Sequence, residues 1–229
     1  MPTNLDIFPL GDFALLIRLG ERIDPLTNSQ AHHLARALEQ TLLPGIGEMV
    51  PAYASLMVHY DPLVLDYATM VSWVEKNAAE ISDVELSKPR MVEIPVLYGA
   101  SYGPDLEFVA QHCSLPVEEV IRRHSSATYT VYMLGFMPGF AYLGGLPAEL
   151  ASPRLETPRT HIKAGSVGIA GSQAGIYPLD SPGGWRIIGW TPLRLFDSLR
   201  NPPTLLSAGD QVRFTPVSSL EKLNEPAGS

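Results

Sequence analysis

Cysteine is almost missing from this chain: Cys113 is the only one. A disulfide within the chain and a cysteine-based metal cage are both excluded. Long apolar runs are missing too, since no window approaches the roughly 20 consecutive apolar residues that a membrane-spanning helix needs. The N-terminal part holds only the short run FALLI between Asp12 and Arg18. With neither a basic start nor a small-residue cleavage site, no signal peptide is expected, and the cytoplasm is the expected compartment. Positive charge is scarce, with 16 Lys and Arg against 24 Asp and Glu for a net charge of −8. Phosphate backbones need a concentrated basic face, so neither nucleic acid nor a membrane is an expected partner.

Standard catalytic motifs are absent as well. There is no G-x-x-x-x-G-K-[ST] phosphate loop, no G-x-G-x-x-G, no H-E-x-x-H and no G-x-S-x-G elbow, which removes the common nucleotide, metalloprotease and serine-hydrolase sites. The six histidines include no pair at ligand spacing except the adjacent His32 and His33, and neighbours on a helix point to different sides. No metal is expected. Cys113 ends an amphipathic stretch with only His112 as a basic neighbour, and reads as a structural thiol.

What is present falls into two parts. FALLIRL is a strand candidate; Asp24-Pro25 then looks like a helix start, and Leu34, Leu38 and Leu42 recur at helical spacing. YASLMVHY alternates as a strand does, and Asp61-Pro62 is expected to open a second helix with Tyr67, Met70, Val71 and Val74 on one face. RMVEIPVLY supplies one more strand to this layer, whose expected arrangement is ferredoxin-like. The polar stretch around Ser82 to Arg90 places a boundary, giving domains 1–88 and 89–229. Two short helices follow, GPDLEFVAQHC and LPVEEVIRRHS.

Between Gly135 and Pro192 lie eleven glycines and seven prolines. Helices do not survive that density, whereas short strands joined by tight turns do, so a β-barrel is expected. GDQVRFTPV adds one more strand, and Ser218 to Ser229 is expected to be loose. Residues 151–200 carry six Lys and Arg against Glu156, Asp180 and Asp197, a local excess that suits a small anion. Glycines at this density let backbone amides approach a ligand, and successive N–H groups form anion-binding concavities. Tyr177, Ser181, Trp185 and Arg186 would supply hydroxyls, a flat wall and a guanidinium around such a pocket. Read differently, the glycines turn barrel corners and the aromatics fill the core. Residues alone leave both readings open. Ile187 and Ile188, adjacent on one strand, should point to opposite faces.

GFMPGFAYLGGLP, TPRTHIKAGSVGIAG, AGIYPLDSPGGWRIIGWTPLRLFD and AGDQVRF together resemble the carboxyltransferase subdomain C/D family, also called allophanate hydrolase subunit 1. The resemblance runs from about Leu5 to Pro216. It implies an α+β chain, a ferredoxin-like N-terminal domain followed by a cyclophilin-like β-barrel. Within the family the likeness extends to B subunits of ATP-dependent 5-oxoprolinase and to Kip-type histidine-kinase inhibitors. It therefore implies a subunit that opens 5-oxo-L-proline to L-glutamate at the expense of ATP, with a cyclophilin-like C subunit and an A subunit of the lactam-utilisation family. A kinase-inhibiting module, and a urea- or amide-type carboxyltransferase or hydrolase subunit with another substrate, are the alternatives. Cyclophilin-like architecture also raises prolyl isomerisation, but no arginine-plus-aromatic signature supports it.

Site residues carry over by matching motif positions. The resemblance implies catalytic roles for Arg159, Tyr177, Ser181 and His124. It implies substrate contacts from Pro138, Gly139, Phe140 and Tyr142, from Gly165 and Ser166, and from Gly183, Gly184 and Trp185, to which the reading of the residues adds Lys163 and Arg186 as cations suited to an anionic substrate. The chain departs from the usual family pattern at Lys163, Ala174 and Trp190, which bear on substrate or partner.

Overall fold

The structure, a computed structural model, describes residues 5–80 and 89–219. It divides into two compact units, residues 1–88 and 89–229. The polar stretch 82–88 and the tail from residue 220 lie outside the described residues.

The first unit is built from β1 (Asp6–Pro9), β2 (Ala14–Arg18), α1 (Pro25–Glu39), β3 (Ile46–Pro51), β4 (Ser55–Tyr60) and α2 (Tyr67–Glu80). Asp24 caps α1 by accepting from the Thr27 N–H at 2.8 Å, with Pro25 at the first helical position, as its sequence leads one to expect. The second helix starts later than expected, because Asp66 rather than Asp61 caps it, accepting from the Thr69 N–H at 2.7 Å. Leu34 and Leu38 of α1 and Met70, Trp73 and Val74 of α2 bury themselves on Leu15, Ile17, Leu56 and Val58. Sheet order is β1-β2-β4-β3, with every neighbour antiparallel. That is ferredoxin-like order with the edge strand beside β2 supplied from the N-terminal side. RMVEIPVLY therefore does not complete this sheet.

Instead it becomes β5 (Met91–Tyr98) of the second unit. There it is followed by α3 (Leu106–His112), α4 (Val117–Ser126), β6 (Tyr129–Leu134), β7 (Ala141–Gly144), β8 (Arg159–Ile162), β9 (Ser166–Ala170), β10 (Gln173–Ile176), β11 (Ser181–Gly183), β12 (Arg186–Trp190) and β13 (Gln211–Pro216). Seven of these strands close a barrel in the order β10-β7-β6-β13-β5-β12-β9, and β8 and β11 form a separate two-stranded ribbon. β5 runs parallel to β13, in register from Met91↔Gln211 to Val96↔Pro216. Ile188 packs in the main barrel core and Ile187 in a satellite cluster, so the two do face opposite ways. Among the described residues no helix is long and apolar enough to cross a membrane.

Candidate functional site

One cavity of about 410 Å³ is bounded by four stretches of chain. Ser101, Tyr102 and Pro104 precede α3; Arg159, His161, Ile162 and Lys163 come from β8 and the residue after it; Ser166, Ile187 and Trp190 come from β9 and β12. Its walls carry Arg159 and Lys163 and no Asp or Glu, a lining that suits an anion. Arg159, Lys163 and Ser166 were expected here from the sequence and are brought together. Ser101, Tyr102 and His161 were not expected.

The charge of Arg159 is held from behind. Asp105, at the start of α3, accepts from Arg159 Nη1 at 2.8 Å and Nη2 at 2.9 Å, and from the Ile187 backbone N–H at 2.7 Å. Its carboxylate also lies 3.8 Å from Arg186 Nη1. End-on pairing uses one N–H on each terminal nitrogen, leaving Nε–H and the outer N–H groups of Arg159 for other acceptors. Arg186 is differently placed. Its guanidinium carbon sits 3.5 Å from the centroid of Phe108, and Nε donates to the Pro153 carbonyl. It braces the site from the interior.

Lys163 and Trp190 form one unit. The ammonium stands 4.4 Å from the indole centroid, Tyr102 stacks on the indole at 5.6 Å, and indole Nε1–H donates to the Ala164 carbonyl at 2.7 Å. Trp190 also walls a second cavity of about 640 Å³, which includes Gly165, Asp180 and Phe196. Gly165 has φ +88°, and a Cβ there would lie 2.1 Å from the Thr191 carbonyl oxygen, so glycine is required.

The expected concavity of backbone amides is absent at this site. Ala164 N–H donates to Asp180, Gly165 N–H to the Tyr177 carbonyl and Ser166 N–H to the Lys163 carbonyl. These donors are satisfied inside the chain, and side chains supply the positive character instead.

Residues 5–206 match the model of the family described as the carboxyltransferase domain, subdomain C and D. The chain belongs to that family. It is 47% identical to the 5-oxoprolinase B subunit of Bacillus subtilis over 95% of each chain, and 42% identical to the 5-oxoprolinase B subunit of Escherichia coli O157:H7 over 90% of this chain and 94% of that one. Among solved structures, a conserved uncharacterized protein, PH0987 of Pyrococcus horikoshii, is 49% identical with TM-score 0.57 over 94% of this chain and 99% of that one. The Kluyveromyces lactis urea amidolyase, 22% identical, shares the fold with TM-score 0.79 over 95% of this chain and 15% of its own.

Several positions marked by family resemblance lie away from the cavity of this carboxyltransferase-domain chain. His124 is fully buried, its Nδ1 2.7 Å from the Tyr98 hydroxyl and its ring 4.5 Å from that of Phe214. Burial depresses its pKa to about 3, so it is a neutral core histidine without access to a ligand. Phe140, Tyr177 and Trp185 build the satellite core, with Tyr142 packed against it. Burial raises the pKa of the Tyr177 hydroxyl, which is hydrogen-bonded by the Trp185 backbone. A Cβ on Gly183 would meet that hydroxyl at 2.4 Å, and Gly184 lies beside Pro158.

Gly168 and Gly175 leave room for Trp185 itself. In SPGGWRIIGW, Gly183 makes room for the Tyr177 hydroxyl and Gly189 for Val96 and the Leu97 carbonyl, so these two glycines serve packing. Ser181 Oγ is enclosed without a hydrogen-bond partner among the described residues. Gly139, in its turn after Pro138, sits against Phe196 and Pro178. Cys113 caps the C-terminal end of α3, 3.8 Å from the Ser152 hydroxyl.

Asp105 behind the cavity was not expected from the sequence either. Its partners lie 54 and 82 positions away, beyond any motif.

Proposed function

We infer that this chain is the B-type component of an ATP-dependent 5-oxoprolinase, opening 5-oxo-L-proline to L-glutamate together with an A and a C subunit. The observation that carries the reading is identity of 42–47% to 5-oxoprolinase B subunits across nearly the whole of both chains. The cavity agrees with it. 5-Oxoproline is a small ring with one carboxylate and one lactam, and it fits a space of about 410 Å³ walled by Tyr102 and Trp190. In this reading its carboxylate pairs with Arg159 and Lys163, and the hydroxyl-bearing walls Ser101, Tyr102 and Ser166 serve the lactam C=O and N–H.

ATP does not fit the residues of this site. The amides of 164–166 donate within the chain, so they offer no cradle for a triphosphate, and in this reading the nucleotide is bound by a partner subunit. This chain binds and orients the lactam. Catalysis belongs to the assembly.

The test is co-expression with the candidate A and C subunits and assay of 5-oxoproline-dependent ATP hydrolysis, with this chain present, omitted or carrying Arg159→Gln. Activity that requires the chain and a raised KM in the variant are expected. A complex that forms but ignores 5-oxoproline would assign another lactam or amide. Arg159→Gln with unchanged KM would remove the cavity from the substrate site.

A further inference from the structure

We infer that Asp105 is a positioning residue for substrate binding, acting through Arg159; this rests on the cavity being the 5-oxoproline site. The carboxylate is nearly buried, at 7% side-chain exposure, and faces two arginines. One negative and two positive charges leave the cluster with one uncompensated positive charge. Exposure decides where that charge is presented. The Arg186 side chain is 13% exposed, covered by Phe108 and bonded to Pro153, whereas that of Arg159 is 32% exposed and lines the cavity. Of the two arginines, Arg159 is therefore the one a ligand can reach, held in place by Asp105.

Asp105 also fixes the plane of that guanidinium. Two parallel hydrogen bonds to Nη1 and Nη2 allow one orientation, and Asp105 is itself pinned. Its N–H donates to the Ile187 carbonyl at 2.9 Å while Ile187 N–H returns a bond to its carboxylate at 2.7 Å. Pro104 before it, Ile187 opposite it and Arg159 beyond it are all cavity walls. One buried carboxylate thus holds the cation and two further walls in a fixed relation, so that a carboxylate ligand meets a preorganised donor.

The experiment uses the reconstituted three-subunit complex. Asp105→Asn keeps the shape and the bond from Ile187 N–H but removes the charge. Expected is a rise of about tenfold or more in KM for 5-oxoproline, with kcat changed by less than about threefold. Asp105→Glu should recover part of the loss. The decisive readout is the double variant with Arg159→Gln. If Asp105 acts through Arg159, the double variant is no worse than the poorer single one within about twofold.

Multiplying effects, an unchanged KM in Asp105→Asn, or a fall in kcat with KM intact would overturn the inference. Should Asp105→Asn not fold, Asp105→Asn with Arg186→Gln preserves the net charge of the cluster and must still raise KM; wild-type KM there would overturn it. Impairment by Arg159→Gln but not by the Asp105 variants sinks this inference alone, whereas an inert Arg159→Gln sinks the cavity assignment beneath it.

Discussion

The Lys163 ammonium stands 4.4 Å from the centre of the Trp190 ring, and the indole N–H of Trp190 is bonded to Ala164, the residue after that lysine. The two side chains lock each other. A long flexible cation is held over one wall of the cavity, where a solvated lysine would sample many rotamers. Lys163 and Trp190 both depart from the usual pattern of the resembling motifs, and the fold makes them one feature.

Trp190→Ala should therefore weaken anion binding without touching Arg159. Loss of the cation–π contact, about 0.5–2 kcal/mol, frees Lys163, and KM for 5-oxoproline in the complex should rise roughly 3- to 30-fold. Trp190→Phe keeps a plate under the ammonium but loses the N–H, so its effect should be smaller. Steady-state kinetics of the two variants checks the order.

Gly165→Ala tests the turn that lines the second cavity. With φ at +88° and a Cβ 2.1 Å from the Thr191 carbonyl oxygen, any side chain must displace backbone. A loss of about 2–4 kcal/mol is expected, seen as a fall of about 5–15 °C in Tm by calorimetry. A Tm within about 2 °C of the parent would show that the turn relaxes.

His124 makes stability depend on pH in a defined direction. Its folded pKa, about 3, lies below the ordinary value of 6.5 because the ring is buried. The unfolded chain binds the extra proton between these values, so the contribution is complete above about pH 6.5. It declines as pH falls toward 3, by about 1.4 kcal/mol per unit. His124→Leu leaves the Tyr98 hydroxyl without its partner and should lower stability at pH 8 by about 1–3 kcal/mol. The same variant should flatten the acid slope between pH 6 and 5 by about 1.4 kcal/mol. Urea titrations at pH 8, 6 and 5 measure both, and an unchanged slope would show that His124 is not the titrating group.

Local pattern determined much of this protein. Asp24-Pro25 announced α1, the alternation in YASLMVHY announced β4, and the glycines and prolines after Gly135 excluded helix and left a barrel, because each of these signals is written within a few residues of where it acts. The positive character of residues 151–200 was also legible, and Arg159 and Lys163 are part of it. Tertiary structure decided the rest. β5 has its parallel partner in β13, 120 positions later, and β1, four residues ending in Pro9, is too short to show a period. The amides of 164 and 165 looked available because their acceptors, Asp180 and Tyr177, arrive only when the strands close. His124 and Tyr177 carry the side chains of catalysis, yet burial makes one a neutral core ring and the other a core phenol. Asp105 is one acid among many until folding sets it between two arginines, since electrostatic pairing depends on distance in space and leaves no trace in spacing along the chain.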